Sequence, residues 1–494
     1  MIISIYRFNS GQTFAKTDRV FSLLLILLIP LILNGQITFE KVLGHTNDEY
    51  GRSVLQTIDS GYIICGTISD IPFNTDDVYI AKTDASGNLQ WSENYGGSWE
   101  DHGYSIFATS DSGYIVSGEY NTTPGNMIPN AYLLKIDLNG DTLWTRKFAG
   151  LGTANARCAI ETGDGAYVLC GFTSSEGNRD AYLVKTSESG ETLWSKILSA
   201  ASDDWFYDLK QTSDVGYIIC GTTIIESGNS DFYIIKTDAS GDTLWTRHYG
   251  SPGNDMAYSV IQHTDGSFFV GGLSYRVQGS SLLDILIMKL NSEGDHIWTK
   301  YYGGDDWDLG GAMDFSGNNE IIVCGWTWDF GASYSDIYLF KINLDGNMIW
   351  SKTMGGDAYE EGYSVHQTYD DGYILCGYST SFGNGNRDVY LIKTDSNGLL
   401  TNVFDFPNEN PSGCRIYPNP NQGHFWVKVP DGQIEIIIYN LLGQTIFRQE
   451  YHSYFPDSKI RIDLQDITNG PYLMKIIRNR EMPELLQIII SCVE

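Results

Sequence analysis

Apolar and polar positions alternate along this chain in short runs cut by glycine-bearing turns, and one stretch displays the whole pattern. Tyr104 to Thr109 alternates and stops at Asp111-Ser112-Gly113, and Tyr114 to Glu119 follows as its partner. Ala131 to Ile136 forms a third run, and Asn139-Gly140-Asp141 turns into a fourth, Thr142 to Phe148. Period-two alternation over runs this short predicts β-strands, and glycine in the two tight turns supplies the positive φ of a hairpin. The other connections, Tyr120 to Asn130 and Gly96 to Gly103, are longer and differ from copy to copy. In an up-and-down sheet the two variable connections emerge on one face and the tight turns on the other. A binding site is therefore expected on the variable face or at a channel mouth there.

The four-run unit repeats. Aligned on the Cys-Gly step of Tyr-Ile-Ile-Cys-Gly, the copies place Gly66, Gly118, Gly171, Gly221, Gly272, Gly325 and Gly377 in one column, a period of 50 to 53 residues in seven copies. A lysine keeps the same beat at Lys82, Lys135, Lys185, Lys236, Lys289, Lys341 and Lys393, and a tryptophan follows at Trp91, Trp144, Trp194, Trp245, Trp298 and Trp350. The seventh copy has no such tryptophan, but 52 residues before Trp91 stands Phe39, in Thr38-Phe39-Glu40-Lys41-Val42-Leu43-Gly44. Four short strands per period of this length are the signature of a β-propeller blade. The expectation is an all-β, seven-bladed β-propeller over residues 36–401, whose last sheet is completed by an N-terminal strand near Phe39. Such closure protects edge strands that would otherwise invite pairing with other chains.

The repeated wording Asp238-Ala239-Ser240-Gly241-Asp242-Thr243-Leu244-Trp245 resembles the tryptophan-docking repeat of the pyrroloquinoline-quinone propeller family. That resemblance implies that each of the six tryptophans packs between neighbouring blades. It does not extend to quinone chemistry, because those enzymes usually have eight blades and often an adjacent cysteine pair, and this chain has seven copies and no Cys-Cys step.

Both ends leave the repeat. In residues 1–35, Lys16 and Arg19 precede an apolar run from Val20 to Leu33 that ends at Asn34-Gly35-Gln36, the pattern of a secretory signal peptide. The run is broken by Pro30 and is too short to span a bilayer comfortably. No cysteine stands at the expected cleavage point, which argues against a lipid-anchored start. Residues 402–413 read as a linker with Pro407 and Pro411. Residues 414–494 carry Tyr417-Pro418-Asn419-Pro420, Gly423-His424-Phe425, Ile438-Tyr439-Asn440-Leu441-Leu442-Gly443-Gln444, Asn469-Gly470-Pro471-Tyr472 and a last strand, Leu486 to Ile490. These ordered landmarks resemble the C-terminal sorting domain of type IX secretion cargo in Bacteroidota. The resemblance implies a small C-terminal β-sandwich, the type IX secretion machinery as partner, and a protein secreted or displayed on the outer cell surface.

The charge balance narrows the partners. With 61 acidic against 31 basic residues the formal charge is -30, which argues against nucleic acid or an anionic membrane. Cys65, Cys170, Cys220, Cys324 and Cys376 share one position in five blades and read as buried thiols. Cys158 faces Cys170 across the turn at Gly163-Asp164-Gly165, so this pair is either a cross-strand disulfide or two thiols. Cys414 and Cys492 bracket the terminal domain and are a second candidate pair.

The periodic Asp77, Asp180, Asp231, Asp284, Asp336 and Asp388, with Asn130 in the second copy, read as turn-binding side chains rather than metal ligands. The periodic lysine reads as a partner for a carboxylate. Clusters on the variable connections are different: Trp99-Glu100-Asp101, Asp203-Asp204-Trp205, Asp305-Asp306-Trp307-Asp308 and Tyr359-Glu360-Glu361. Aromatic rings stack on sugar faces while carboxylates accept hydroxyl hydrogen bonds, which marks Trp99, Trp205, Trp307 and Tyr359 as candidate ligand contacts. Asp305, Asp306 and Asp308 are candidate oxygen ligands for Ca²⁺; no other cofactor is indicated. No Gly-x-Ser-x-Gly elbow or compact histidine pair is present, so no catalytic residue is assigned. The sequence thus points to a monomeric, non-catalytic module that binds glycan or protein. The alternative is a carbohydrate-active hydrolase or lyase with two carboxylates at the channel mouth.

Overall fold

The computed structural model describes residues 36–400, apart from position 45 and the short stretches 71–74, 122–128, 149–151, 176–177, 200–202, 226–227, 276–281, 318 and 332–333. Beyond 400 it describes the strands between 415 and 490. The expected signal peptide (1–35), the linker (402–413), Cys414 and Cys492 lie outside the described residues.

Seven four-stranded antiparallel sheets follow one another along the chain, each in simple meander order. Their first strands are Asp48–Gln56, Asp101–Ala108, Ala154–Glu161, Asp204–Gln211, Asp255–Gln262, Asp308–Ser316 and Glu360–Gln367, and these line a central channel. Six blades take all four strands from one repeat. The seventh is completed by Phe39–Leu43, paired antiparallel with Asp388–Thr394. Its register sets Phe39 opposite Lys393, just as Trp91 lies opposite Lys82 and Trp144 opposite Lys135. The N-terminal strand therefore fills the fourth-strand slot with a phenyl ring where the other blades have indole.

The reason for this column of rings lies in the next blade. Trp91 packs on the turn glycine Gly140, Trp144 on Gly190, Trp245 on Gly294 and Trp350 on Gly398, each glycine at positive φ with no room for a Cβ beside the ring. Phe39 makes the same contact with Gly87 of the first blade and meets Tyr62 edge-on at 5.7 Å. One docking interaction, repeated around the ring, also joins the last blade to the first.

In six of the blades the lysine column ties the third strand to an acid at the tight turn between the first two; in the fifth, Lys289 lies over the Phe269 ring. Lys82 reaches Asp59 at 2.9 Å, Lys135 reaches Asp111 at 2.7 Å, and Lys185, Lys236, Lys341 and Lys393 do the same with Asp164, Asp214, Glu320 and Asp370. The bond from Lys185 holds the Asp164 carboxyl down at about 2. Between blades the core is apolar: Ile63, Cys65, Val78 and Ile80 of the first sheet meet Ile106, Val116, Tyr132 and Leu134 of the second. Near the channel, small polar groups lace the first strands together. Ser53 Oγ accepts from Ile106 N–H, and Ser364 Oγ accepts from Val54 N–H across the closure, both at 3.3 Å.

The C-terminal region forms two antiparallel sheets, one of three strands and one of four. Phe425, Val427 and Ile462 from the first share a core with Ile434, Ile436, Ile438, Met474 and Ile476 from the second, which makes the expected small sandwich.

Candidate ligand-binding face

The sequence of every first strand contains one residue too many for its partner. The ladder between the first and second strands slips once in each blade, and the extra residue is Arg52, Tyr104, Arg157, Tyr207, Tyr258, Gly311 or Tyr363. A β-bulge re-aims a side chain, and here the six that carry one line a channel cavity of about 450 Å³. In the sixth blade the position must be glycine, since φ is +118° and a Cβ would sit 2.6 Å from the backbone nitrogen of Gly272. Trp326 borders the space left there, 5.5 Å from the Tyr363 ring.

Ring faces hold the two arginines. The Arg157 guanidinium lies 4.0 Å from the Tyr104 ring centre and 5.9 Å from that of Tyr207, and Arg52 lies 4.6 Å from Tyr363 and 5.6 Å from Tyr50. Hydrogen bonds fix several of the phenols. Trp205 Nε1 donates to Tyr207 Oη at 2.6 Å, and Tyr363 and Tyr378 donate to the two oxygens of Glu361 at 2.5 and 2.6 Å. Burial raises the Tyr104, Tyr207, Tyr258 and Tyr363 pKa values and keeps these groups protonated donors at neutral pH. Two further lining residues are paired: Asp208 with Lys210 at 2.7 Å, and His366 with Asp314 at 3.0 Å.

A second feature lies on the variable connections of the sixth blade. Trp307 and Trp328 have ring centres 5.8 Å apart, Trp328 and Tyr359 6.0 Å, and Tyr359 and Tyr334 4.7 Å. All four are substantially exposed, between 38% and 44%. The backbone fixes their spacing, with Trp328 N–H donating to the Trp307 carbonyl at 2.9 Å and Tyr359 N–H to Thr380 Oγ1 at 2.8 Å. Of the four residues singled out in the sequence, Trp307 and Tyr359 fall in this patch, and Trp205 is bonded to Tyr207 of the channel wall. Trp99 is exposed on the 96–100 connection and takes part in none of these ring contacts. Trp328 and Tyr334 were missed; both follow the second strand of the sixth copy, in a connection unusually rich in rings.

The carboxylates of the same clusters have another role than the one expected. Asp101, Asp204, Asp308 and Glu360 open their first strands at one repeated position, shared with Glu49 and Asp255, and all six are fully buried. They bind the preceding connection: Asp101 accepts from Gly97 N–H at 2.7 Å, Asp308 from Gly304 N–H at 2.8 Å, and Glu360 from Gly356 N–H at 2.7 Å. Burial, reinforced by Asp77 beside Asp101 and by Asp329 and Asp284 beside Asp308, lifts both carboxyls to about 6. Asp305 and Asp306 are exposed and do not converge with Asp308. Among the described residues no three His, Cys, Asp or Glu side chains form a metal-binding group. Cys158 does lie opposite Cys170, but both are free thiols, and Cys158 Sγ donates to Asp208 Oδ1 at 3.4 Å.

Three kinds of similarity accompany this geometry. Over 173 residues the chain is 29% identical to the regulatory protein FlaEY of Caulobacter vibrioides, a match covering 33% of this chain and 16% of that protein. The chain thus spans about a sixth of that relative's length. Among solved structures it is similar to PorZ, a surface component of the type IX secretion system of Porphyromonas gingivalis (11% identity, 90% of this chain and 81% of that chain, TM-score 0.26). It is also similar to the β-propeller domain of the Trilobed protease from Pyrococcus furiosus (11% identity, 75% of this chain and 100% of that domain, TM-score 0.41). Residues 415–491 match the secretion system C-terminal sorting domain, so this is a β-propeller protein exported by type IX secretion and either secreted or held at the outer cell surface.

Proposed function

We propose that the propeller is a non-catalytic, monomeric glycan-binding module, delivered by a cleaved leader and by its C-terminal domain. The observation that carries this reading is the exposed patch of Trp307, Trp328, Tyr334 and Tyr359, four rings at stacking separations on the face where the connections vary. Exposed contiguous aromatics are costly to leave in water and mark recognition surfaces. The flat faces of pyranose rings match them, because C–H groups pack on the π surface while the ring hydroxyls remain in solvent. A protein ligand would use the same rings as buried anchors. The buried Asp101, Asp308 and Glu360 are engaged by backbone N–H groups of the preceding connections, which disfavours them as the carboxylates of a hydrolase or lyase.

A glycan array with the purified protein, repeated with Trp307→Ala and Trp328→Ala, tests the proposal. Retention of an oligosaccharide without cleavage, weakened about tenfold or more by either substitution, is the expected result. Release of product would replace the binding reading with the hydrolase or lyase, and a blank glycan array with capture of a protein would move the patch to protein recognition.

A further inference from the structure

The channel mouth differs chemically from the aromatic patch. The cavity wall carries three permanent cations, Arg52, Arg157 and Lys210, against one carboxylate, Asp208, in a molecule of net charge -30. Asp208 is already neutralised by Lys210. The two arginines come from the bulges of the first and third blades, on either side of Tyr104, and their planes rest on tyrosine faces, with no ion pair to an acid among the described residues. Nε of Arg52 is buried with no hydrogen-bond partner among the described residues. A guanidinium stacked on a ring keeps its N–H edge free and loses little freedom on binding, which suits planar, two-pronged recognition of an oxyanion. The phenols of Tyr104, Tyr207 and Tyr258 add donors or apolar walls around that edge. The glycine at position 311 leaves the ring open on one side, and the cavity of about 450 Å³ holds a sugar-sized ligand.

We propose that the bulge ring is an oxyanion-binding site, in which Arg52 and Arg157 take the carboxylate or sulfate of an acidic saccharide and the surrounding tyrosines enclose its ring. The oxyanion specificity comes from the channel alone; that its bearer is a saccharide rests on the glycan reading above. The site would give an acidic protein a ligand class that its surface charge otherwise repels.

Calorimetric titration of the full chain with D-glucuronate, with D-glucose and with sodium sulfate tests this. Glucuronate is expected to bind and glucose not, with affinity falling as salt rises. If sulfate binds as well, either oxyanion satisfies the site; if it does not, the carboxylate sugar is the ligand. Arg157→Met should weaken glucuronate binding about tenfold or more, and Arg157→Lys should restore part of it. Glucose binding as well as glucuronate, no binding by either anion, or full binding by a normally folded Arg157→Met protein would overturn the proposal. Should Arg157→Met not fold, the glucuronate-to-glucose ratio, its salt dependence and Arg157→Lys decide the matter. Neutral oligosaccharides on the array report on the aromatic patch alone, so failure of one reading is distinguishable from failure of the other.

Discussion

Phe39→Ala tests the closure of the ring. The side chain is 5% exposed, packs on Gly87 and Tyr62, and belongs to a strand of five residues held by pairing with Asp388–Thr394. Removing an aromatic that buries roughly 150 to 250 Å² forfeits about 4 to 6 kcal/mol at 25 cal/mol/Å², an upper bound because the unfolded chain is already partly compact. Measured truncations of buried phenylalanine suggest about 3 to 5 kcal/mol. Phe39 is hundreds of residues from its strand partner, so the loss also weakens the junction that makes the seven blades one cooperative unit. Guanidinium unfolding followed by tryptophan fluorescence is the assay, with Trp350→Ala, the same docking contact inside a continuous blade, as the internal standard. The two substitutions should cost similar amounts, and Phe39→Ala should broaden the transition. A Phe39→Ala protein within about 0.5 kcal/mol of its parent, the range of ordinary surface changes, would show that the N-terminal strand does not close the ring.

Acidity offers a second test. Asp101 and Asp308 have folded pKa values of about 6, above their unfolded ones, so their contribution to stability is full below the ordinary carboxyl range and is lost as pH rises through 6. Asp164, held near 2, behaves oppositely and loses its contribution as pH falls toward 2. Unfolding at a series of pH values should therefore show greatest stability near pH 4 to 5, and the stability of Asp101→Asn relative to its parent should improve between pH 5 and pH 8; a parallel pair of curves would refute the assignment. The propeller thiols are fully buried, and burial pushes Cys158 to about 12 and Cys65 higher, so an aromatic disulfide reagent should label none of Cys65, Cys158, Cys170, Cys220, Cys324 and Cys376 until denaturant is added. Labelling that never includes Cys158 and Cys170, even in denaturant, would reveal a disulfide. Trp328→Ala should leave the melting temperature within a few degrees of the parent, because a ring 40% exposed contributes to binding more than to folding.

The fold was legible because its determinants are local and repeated. A column of lysine, a column of tryptophan and the turn glycines recur at one spacing, and the displaced member of the tryptophan column, Phe39, identified the closing strand from its distance to Trp91 alone. The buried acids were misread for the opposite reason. Asp101, Asp204, Asp308 and Glu360 occupy one repeated position, but each stands beside a connection of different length and content, so they looked like parts of unrelated acidic clusters. Alignment outward from the Cys-Gly glycines brings them into register with Glu49 and Asp255 and shows a structural column.

The arginine and tyrosine ring escaped notice because a bulge breaks the parity on which strand reading depends. In Asp101–Ala108 the buried residues Asp101 and Gly103 are odd-numbered, while Ile106 beyond Tyr104 is even-numbered. Strict alternation over Tyr104 to Thr109 therefore assigns Tyr104 to the interblade face with Ile106, whereas the slip turns it into the channel. Since the slip occurs at the same place in all seven blades, it costs the interblade core nothing. Each blade keeps its apolar residues in the interblade core, and six of the seven present one bulge side chain to the channel. That position lies outside the interblade core, and its chemistry differs between repeats: arginine twice, tyrosine four times and, where the backbone leaves no room for a Cβ, glycine once. A uniform scaffold with one bulge position per blade gathers six side chains and one glycine around the channel. For that reason exchanging Arg157 should change what the channel accepts while the propeller remains folded.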